Sequence, residues 1–247
     1  MTSSTSMSGF ETARPASLHA TLELGKGLTV PTDESTLVRQ ASVADARMGP
    51  MLGERFLDAL TYAAELHADQ TRKASPTPYV AHLLGVCSLV LEDGGDEDEA
   101  IAALLHDAVE DQDDGKPEQL LAEIRARFGN RIASIVDECT ETLKRPKPPW
   151  PERKAAYLAH LEHASDSALR ISLADKLYNA TSVLRDYRLQ GDALWSRFNA
   201  QAGKERTLDH YADLVGLFNR RCLASPMARE LDRVVAELVA LATPADP

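Results

Sequence analysis

Residues 101–111 read Ile-Ala-Ala-Leu-Leu-His-Asp-Ala-Val-Glu-Asp, and this stretch decides both the class of fold and the kind of chemistry. Ile101, Ala102, Leu105 and Val109 recur with the period of an amphipathic helix, which turns about 100° per residue. On the same wheel His106, Asp107, Glu110 and Asp111 share one wedge of about 140°, with the small Ala103 inside it. Acidic residues at a helix end ordinarily form a solvated face, and Asp113 and Asp114 extend this run. His106 and Asp107, however, sit behind the apolar run Ala-Ile-Ala-Ala-Leu-Leu. Burying them unpaired would cost several kcal/mol, so they need a partner.

Outward from this stretch the pattern stays helical. Phe56, Leu60, Ala63 and Ala64 mark a helix to about residue 70. A loop follows at Lys73–Pro78, then a helix from about Tyr79 to Leu91 that stops at Gly94-Gly95. The central stretch belongs to a helix from about Asp96 to Glu110. Leu120, Leu121, Ile124 and Phe128 predict the next, stopped by Gly129, and Ile132, Ile135, Val136, Cys139 and Leu143 another. The prolines of residues 144–151 forbid a regular helix there. Further helices are expected near 152–163, 166–187, 204–220 and 226–242. Val, Ile and Thr never cluster in alternation, so the expected class is all-α. Residues 1–47, rich in Ser, Thr and Ala without a sustained period, read as a flexible N-terminal tail before one domain over 48–247. Met48 and Met51 are alternative start sites.

The 247 residues carry 27 Lys and Arg against 38 Asp and Glu, a formal net charge of −11. That balance argues against duplex nucleic acid, which requires a basic face. An anionic ligand would need local cations or a metal to hold it. Cys87, Cys139 and Cys222 are odd in number and widely spaced, which disfavours a disulfide framework and suits a reducing, cytoplasmic setting. No apolar run approaches a membrane span and no secretory leader pattern opens the chain, so no membrane association is expected. Oligomeric state is not fixed by any of these features.

A second constellation is Leu173-Ala174-Asp175-Lys176-Leu177-Tyr178-Asn179. Asp175 and Asn179 stand one turn apart on a helix that is apolar almost all round and therefore central. An Asp in such a helix is either the partner of a Lys or Arg, or a metal ligand. Of the seven histidines, His67 reads as a packed core residue, His160 and His163 as surface, and His210 as structural or surface. His82, His106, Asp107 and Asp175 together would make a mixed nitrogen and oxygen site suited to Mn²⁺, Fe²⁺, Co²⁺ or Zn²⁺. Such an ion would offset the burial of the carboxylates and lower the pKa of bound water.

Three blocks in order resemble the HD phosphohydrolase superfamily, and within it the alarmone (p)ppGpp hydrolase domain of RelA/SpoT proteins and the small alarmone hydrolases. They are Arg72-Lys73 with Pro78-Tyr79-Val80-Ala81-His82, then Ala102 to Asp111, then Leu173 to Asn179. The resemblance runs from about residue 52 to 190. It implies an HD-domain helical bundle and a metal-dependent phosphohydrolase that removes the 3′-pyrophosphate from a small-molecule guanosine nucleotide. By the same resemblance His82, His106, Asp107 and Asp175 are the metal ligands, usually for Mn²⁺. Glu110 and Asp111 position the attacking water. Arg72 and Lys73 lie near base and phosphates, Asn179 near the ribose, and Lys176 faces either phosphate or an acid. The basic segment 144–154, five cations against Glu152, reads as a steering loop or a solvated one. Rival readings are another HD nucleotide phosphatase acting on NADPH or a dNTP, and a non-catalytic HD-fold interaction module. At this length no synthetase domain is expected.

Overall fold

A buried helix is built where every face of the chain is apolar, and residues 100–105 meet that condition: all six are fully buried. They form the body of one short helix at the centre of the molecule. The computed structural model describes residues 52–73, 75–111, 116–198 and 201–243. The expected tail, 1–47, and the alternative starts at Met48 and Met51 lie outside the described residues, as does the side chain of Asp111.

The elements are α1 (Glu54–Leu66), α2 (Val80–Glu92), α3 (Glu97–Leu105), α4 (Ala108–Asp111), α5 (Pro117–Phe128), α6 (Asn130–Cys139), α7 (Trp150–Leu161), α8 (Asp166–Gln190), a 3₁₀ helix (Gly191–Arg197), α9 (Gly203–Arg221) and α10 (Pro226–Ala242). Among the described residues there is no strand, only an isolated bridge between Thr71 and Pro78. The all-α expectation holds, and most helix limits fall within a few residues of the sequence pattern.

α3 starts at a capping box: the Asp96 side chain accepts from Glu99 N at 2.9 Å and the Glu99 side chain accepts from Asp96 N at 2.9 Å. Arg170 Nη1 reaches Glu99 at 2.6 Å and neutralises that buried acid. Ile101, Leu104 and Leu105 are fully buried, each worth about 1.5–3 kcal/mol over an exposed position. α3 packs on α1, α2 and α6, while the 25-residue α8 runs through the molecule against α2, α6 and α10. Ser165 caps α8, its Oγ accepting from Ala168 N at 3.3 Å.

Two expectations are corrected. The helix expected from Asp96 to Glu110 is interrupted, with His106 and Asp107 in the turn between α3 and α4. His106 Nδ1 bonds Ala103 O at 2.8 Å, the carbonyl that a continuous helix would pair with the Asp107 N–H. A single wheel therefore does not describe the wedge. Leu143 lies beyond α6, which ends at Cys139; Thr140 turns extended, and its hydroxyl donates to Val136 O at 2.8 Å.

One glycine is fixed by packing. A Cβ on Gly85 of α2 would meet the Tyr178 ring of α8 at 2.0 Å, so only glycine lets these two helices approach so closely.

Candidate metal centre and substrate cavity

Four side chains from three elements converge on one cluster. His82 lies in the first turn of α2, His106 and Asp107 in the turn that follows α3, and Asp175 halfway along α8. His82 Nε2 stands 3.3 Å from Asp107 Oδ2 and 3.3 Å from Asp175 Oδ1. His106 Nε2 stands 3.1 Å from Asp107 Oδ2 and 3.9 Å from Asp175 Oδ1. His82, His106 and Asp175 present ligand atoms that all lie within 4.8 Å of one another. The helix break matters here, because it turns His106 and Asp107 together toward the other two.

His82 Nε2 and His106 Nε2 are buried without a hydrogen-bond partner. Buried nitrogens that face carboxylates with no hydrogen-bond partner fit the donor set of a cation site. Donors held about 2.0–2.2 Å from one ion lie roughly 3 Å from each other. With two imidazoles and two carboxylates the donor set fits a divalent ion. The His106 bond to Ala103 O leaves Nε2 as the lone pair that faces the cluster.

The electrostatics follow the same logic. Burial opposes a charged His106, but Asp107 and Asp175 raise its pKa well above the usual value, so a cation bound at Nε2 would take the place of the proton these carboxylates favour. Burial would raise both carboxyls; Lys176 and the imidazoles keep Asp175 well below its ordinary range, and His106 and His82 do the same for Asp107. Each acid is also anchored. Tyr79 donates its hydroxyl to Asp107 Oδ2 at 2.6 Å, while Lys176 donates to Asp175 Oδ2 and Asn179 to Asp175 Oδ1. Lys176 therefore faces an acid and also lines the cavity.

The cluster opens into a cavity of about 170 Å³. Arg72 and Asn179 form one border, with Arg72 Nη2 donating to Asn179 Oδ1 at 2.5 Å. The Arg72 guanidinium lies 5.8 Å from the centre of the Tyr79 ring and 5.9 Å from that of Tyr178. A closed turn puts it there: Arg72 N donates to Thr77 O at 2.8 Å and Tyr79 N to Gln70 O at 2.9 Å. Lys73 does not join the wall. Its side chain is exposed, and its carbonyl accepts from Arg197 Nη2 at 3.1 Å.

Glu110 lines the cavity and is held by Lys147 of the proline-rich segment, Nζ at 3.2 Å, and by Arg153 of α7, Nη1 at 3.9 Å. Arg145 grips the carbonyls of Val109 and Glu110 at 3.4 and 3.0 Å. Arg153 pairs with Glu141, and Lys154 reaches the same acid at 2.9 Å. Of the expected steering cations, four are thus engaged with neighbours and Lys144 stays exposed. Lys154, expected only as one of five steering cations, lines the cavity too, as do Glu141, Tyr157 and Ser172, which sequence reasoning gave no place at the site. Lys154 and Tyr157 stand three apart on α7, the only trace of a shared face.

The other histidines follow expectation. His67 is buried, bonded through Nδ1 to Gln70 Oε1 at 2.6 Å and stacked on Tyr79 at 5.0 Å. His160 is exposed on Glu138 O at 2.9 Å, and His163 is exposed. His210 lies edge-on to Trp150, its pKa pushed down to about 3 by burial and the charges of Lys154 and Lys176. The three cysteines are free. No helix of the described residues is long and apolar enough to cross a membrane.

Residues 59–204 match the HD domain family model. The chain is 40% identical over 149 residues to guanosine-3′,5′-bis(diphosphate) 3′-pyrophosphohydrolase of Xenopus tropicalis, covering 59% of this chain and 76% of that relative. It is 36% identical over 150 residues to the enzyme of the same description from Homo sapiens, covering 60% and 77%. A solved metazoan orthologue of SpoT, described as hydrolysing ppGpp, superposes with a TM-score of 0.60 at 26% identity over 77% of this chain and 98% of that one. A Listeria monocytogenes structure superposes with a TM-score of 0.55 at 29% identity, over 64% and 97%. Helical class, buried histidine–aspartate cluster and family match over more than half its length agree: this chain belongs to the HD domain family.

Proposed function

We propose that this protein is a metal-dependent guanosine-3′,5′-bis(diphosphate) 3′-pyrophosphohydrolase, using water to release pyrophosphate from ppGpp, leaving GDP, or from its 5′-triphosphate form, leaving GTP. The observation that carries the reading is the pair of orphaned nitrogens, His82 Nε2 and His106 Nε2, facing Asp107 and Asp175 inside a cavity bordered by Arg72 and Asn179. Relatives that align with most of their own length carry the same activity in their names, which supports this substrate class over other nucleotides.

In this reading His82, His106, Asp107 and Asp175 hold one divalent ion, Mn²⁺ by family resemblance. When bound, it lowers the pKa of water and neutralises charge on the phosphoryl oxygens. The chain's own groups do the rest. Tyr79 and Asn179 fix the orientation of the two carboxylates, the supporting role such partners play around a metal. Lys176 offsets the charge of Asp175. Glu110 orients the attacking water and accepts its proton at a carboxylate oxygen, with Asp111 beside it in sequence. Arg72 presents a planar guanidinium for base stacking or a phosphate contact, and Asn179 an amide for the ribose. Lys73, next to Arg72 in the chain and exposed, offers a point charge to the nucleotide. The cytoplasmic setting rests on the unpaired cysteines.

The test combines metal analysis of the purified protein with product identification on ppGpp, GTP, dGTP and NADPH. Pyrophosphate released from ppGpp alone, by protein carrying one equivalent of metal, is the expected result. Orthophosphate released from NADPH with ppGpp left intact would transfer the site to a phosphatase.

A further inference from the structure

The α8 helix sets the long axis of the cavity. Ser172, Asp175, Lys176 and Asn179 all line it, so it follows about 10 Å of helix at 1.5 Å per residue. The Asn179 end carries Arg72. The Ser172 end carries Cys139 and Tyr157, with Lys154 one turn before Tyr157 on α7. Asp175, with the two imidazoles, lies between. A nucleotide with its base at Arg72 and its reacting phosphorus at Asp175 must send the rest of its 3′ substituent toward Ser172. In a 3′-diphosphate, that remainder is the outer phosphoryl group.

The inner end has the groups to receive it. Each ammonium offers three N–H donors. Lys154 is ion-paired with Glu141 Oε1 at 2.9 Å; Lys176 gives one donor to Asp175 and sits 5.0 Å over the Tyr157 ring. Ser172 Oγ lines the cavity at 2% exposure and has no hydrogen-bond partner. Next to it is the Tyr157 phenol, a residue 4% exposed. A buried hydroxyl without a partner is rare, and Ser172 Oγ lies on the cavity wall beside the Tyr157 phenol. The local charge is also suitable: Glu141 is shared between Arg153 and Lys154, and Lys176 lies close enough to Lys154 to help burial lower its pKa. Two neighbouring ammonium groups are the natural host of an anion.

We propose that Lys154, with the hydroxyls of Tyr157 and Ser172, binds the outer phosphoryl group of a 3′-diphosphate and so selects diphosphate over a single phosphate at that position. This subsite rests on the function proposed above, but it can be read without turnover. Protein loaded with one equivalent of Mn²⁺ is titrated by calorimetry with inorganic pyrophosphate and with orthophosphate. The wild type is expected to favour pyrophosphate by about tenfold or more, the scale of a charge-assisted contact. Lys154→Gln should abolish that preference, Lys154→Arg should restore part of it, and Tyr157→Phe, which keeps the ring, should reduce it by about threefold. In turnover, Lys154→Gln should raise KM for ppGpp more than it lowers kcat. A Lys154→Gln or Tyr157→Phe protein with wild-type melting temperature, wild-type metal content and an undiminished pyrophosphate preference overturns the subsite. If ppGpp is cleaved but the variants behave as wild type, the subsite falls and the function stands. If ppGpp is untouched while the preference depends on Lys154, the substrate reading falls and the subsite stands.

Discussion

The two walls of the cavity are built on opposite principles. On one, α2, the α3–α4 turn and α8 bring together two imidazoles whose facing nitrogens have no hydrogen-bond partner. On the other, residues 141–154 bring Glu141, Lys147, Arg153 and Lys154 into mutual ion pairs that also hold Glu110. The first wall is incomplete by itself and calls for a cation. The second pairs its charges among its own residues and keeps its shape through them. Burial explains the contrast. His82, His106 and Asp175 are buried, where an unpaired polar group is expensive, whereas Lys147 and Lys154 keep contact with water, which screens what their partners do not.

The largest effect should come from the first wall. Asp175→Ala is expected to lose the metal and bring turnover to background, measured by elemental analysis and a pyrophosphate assay. Stoichiometric metal retained in that variant would break the contrast. Glu110→Gln should keep the metal and lower kcat by roughly 10²-fold, the usual scale for a positioned base; an unchanged kcat would return Glu110 to the ion-paired wall as a purely structural residue. Gly85→Ala touches neither wall but pushes Tyr178, which borders both His82 and Arg72. Overpacking of this kind costs about 1–3 kcal/mol, read as a fall in melting temperature together with weaker metal retention. A neutral result would mean the two helices can separate freely.

Glu141→Gln should give the smallest effect and a pH-dependent one. Burial would raise the Glu141 carboxyl, but Lys154 and Arg153 hold it below its ordinary value of 4.5. A depressed acid stabilises the fold above its unfolded pKa and loses that contribution as pH falls through the folded one. The wild type should therefore lose melting temperature below about pH 4.5 more steeply than the variant, while both keep their metal at neutral pH. If Glu141→Gln released the metal at pH 7, the two walls would be one coupled system.

The same contrast explains how much could be read in advance. Every residue of the first wall was legible: His82, His106, Asp107 and Asp175 are polar groups embedded in apolar helical runs, and a run that must be buried exposes any polar residue within it as an anomaly. Tyr157 and Glu141 were not, and Lys154 was legible only as one of five cations, because the charged composition of residues 141–157 makes cavity-facing and solvent-facing groups look alike. The break at His106 was hidden for another reason. It depends on a side chain taking a main-chain carbonyl, which a hydrophobic period does not encode.

What the sequence determined by itself was local and periodic: the all-α class, the helix order, and the set of ionisable groups that burial would force to find partners. Periodicity follows from the 3.6-residue turn, and each turn can be read alone. Only the tertiary structure decided which of those groups meet. It set His82 and His106 against Asp107 and Asp175 across three helices, turned Lys176 onto Asp175, placed Lys73 outside the cavity, and closed Gly85 onto Tyr178. Those outcomes depend on how helices cross, and a crossing is fixed by the packing of many residues distant in the chain.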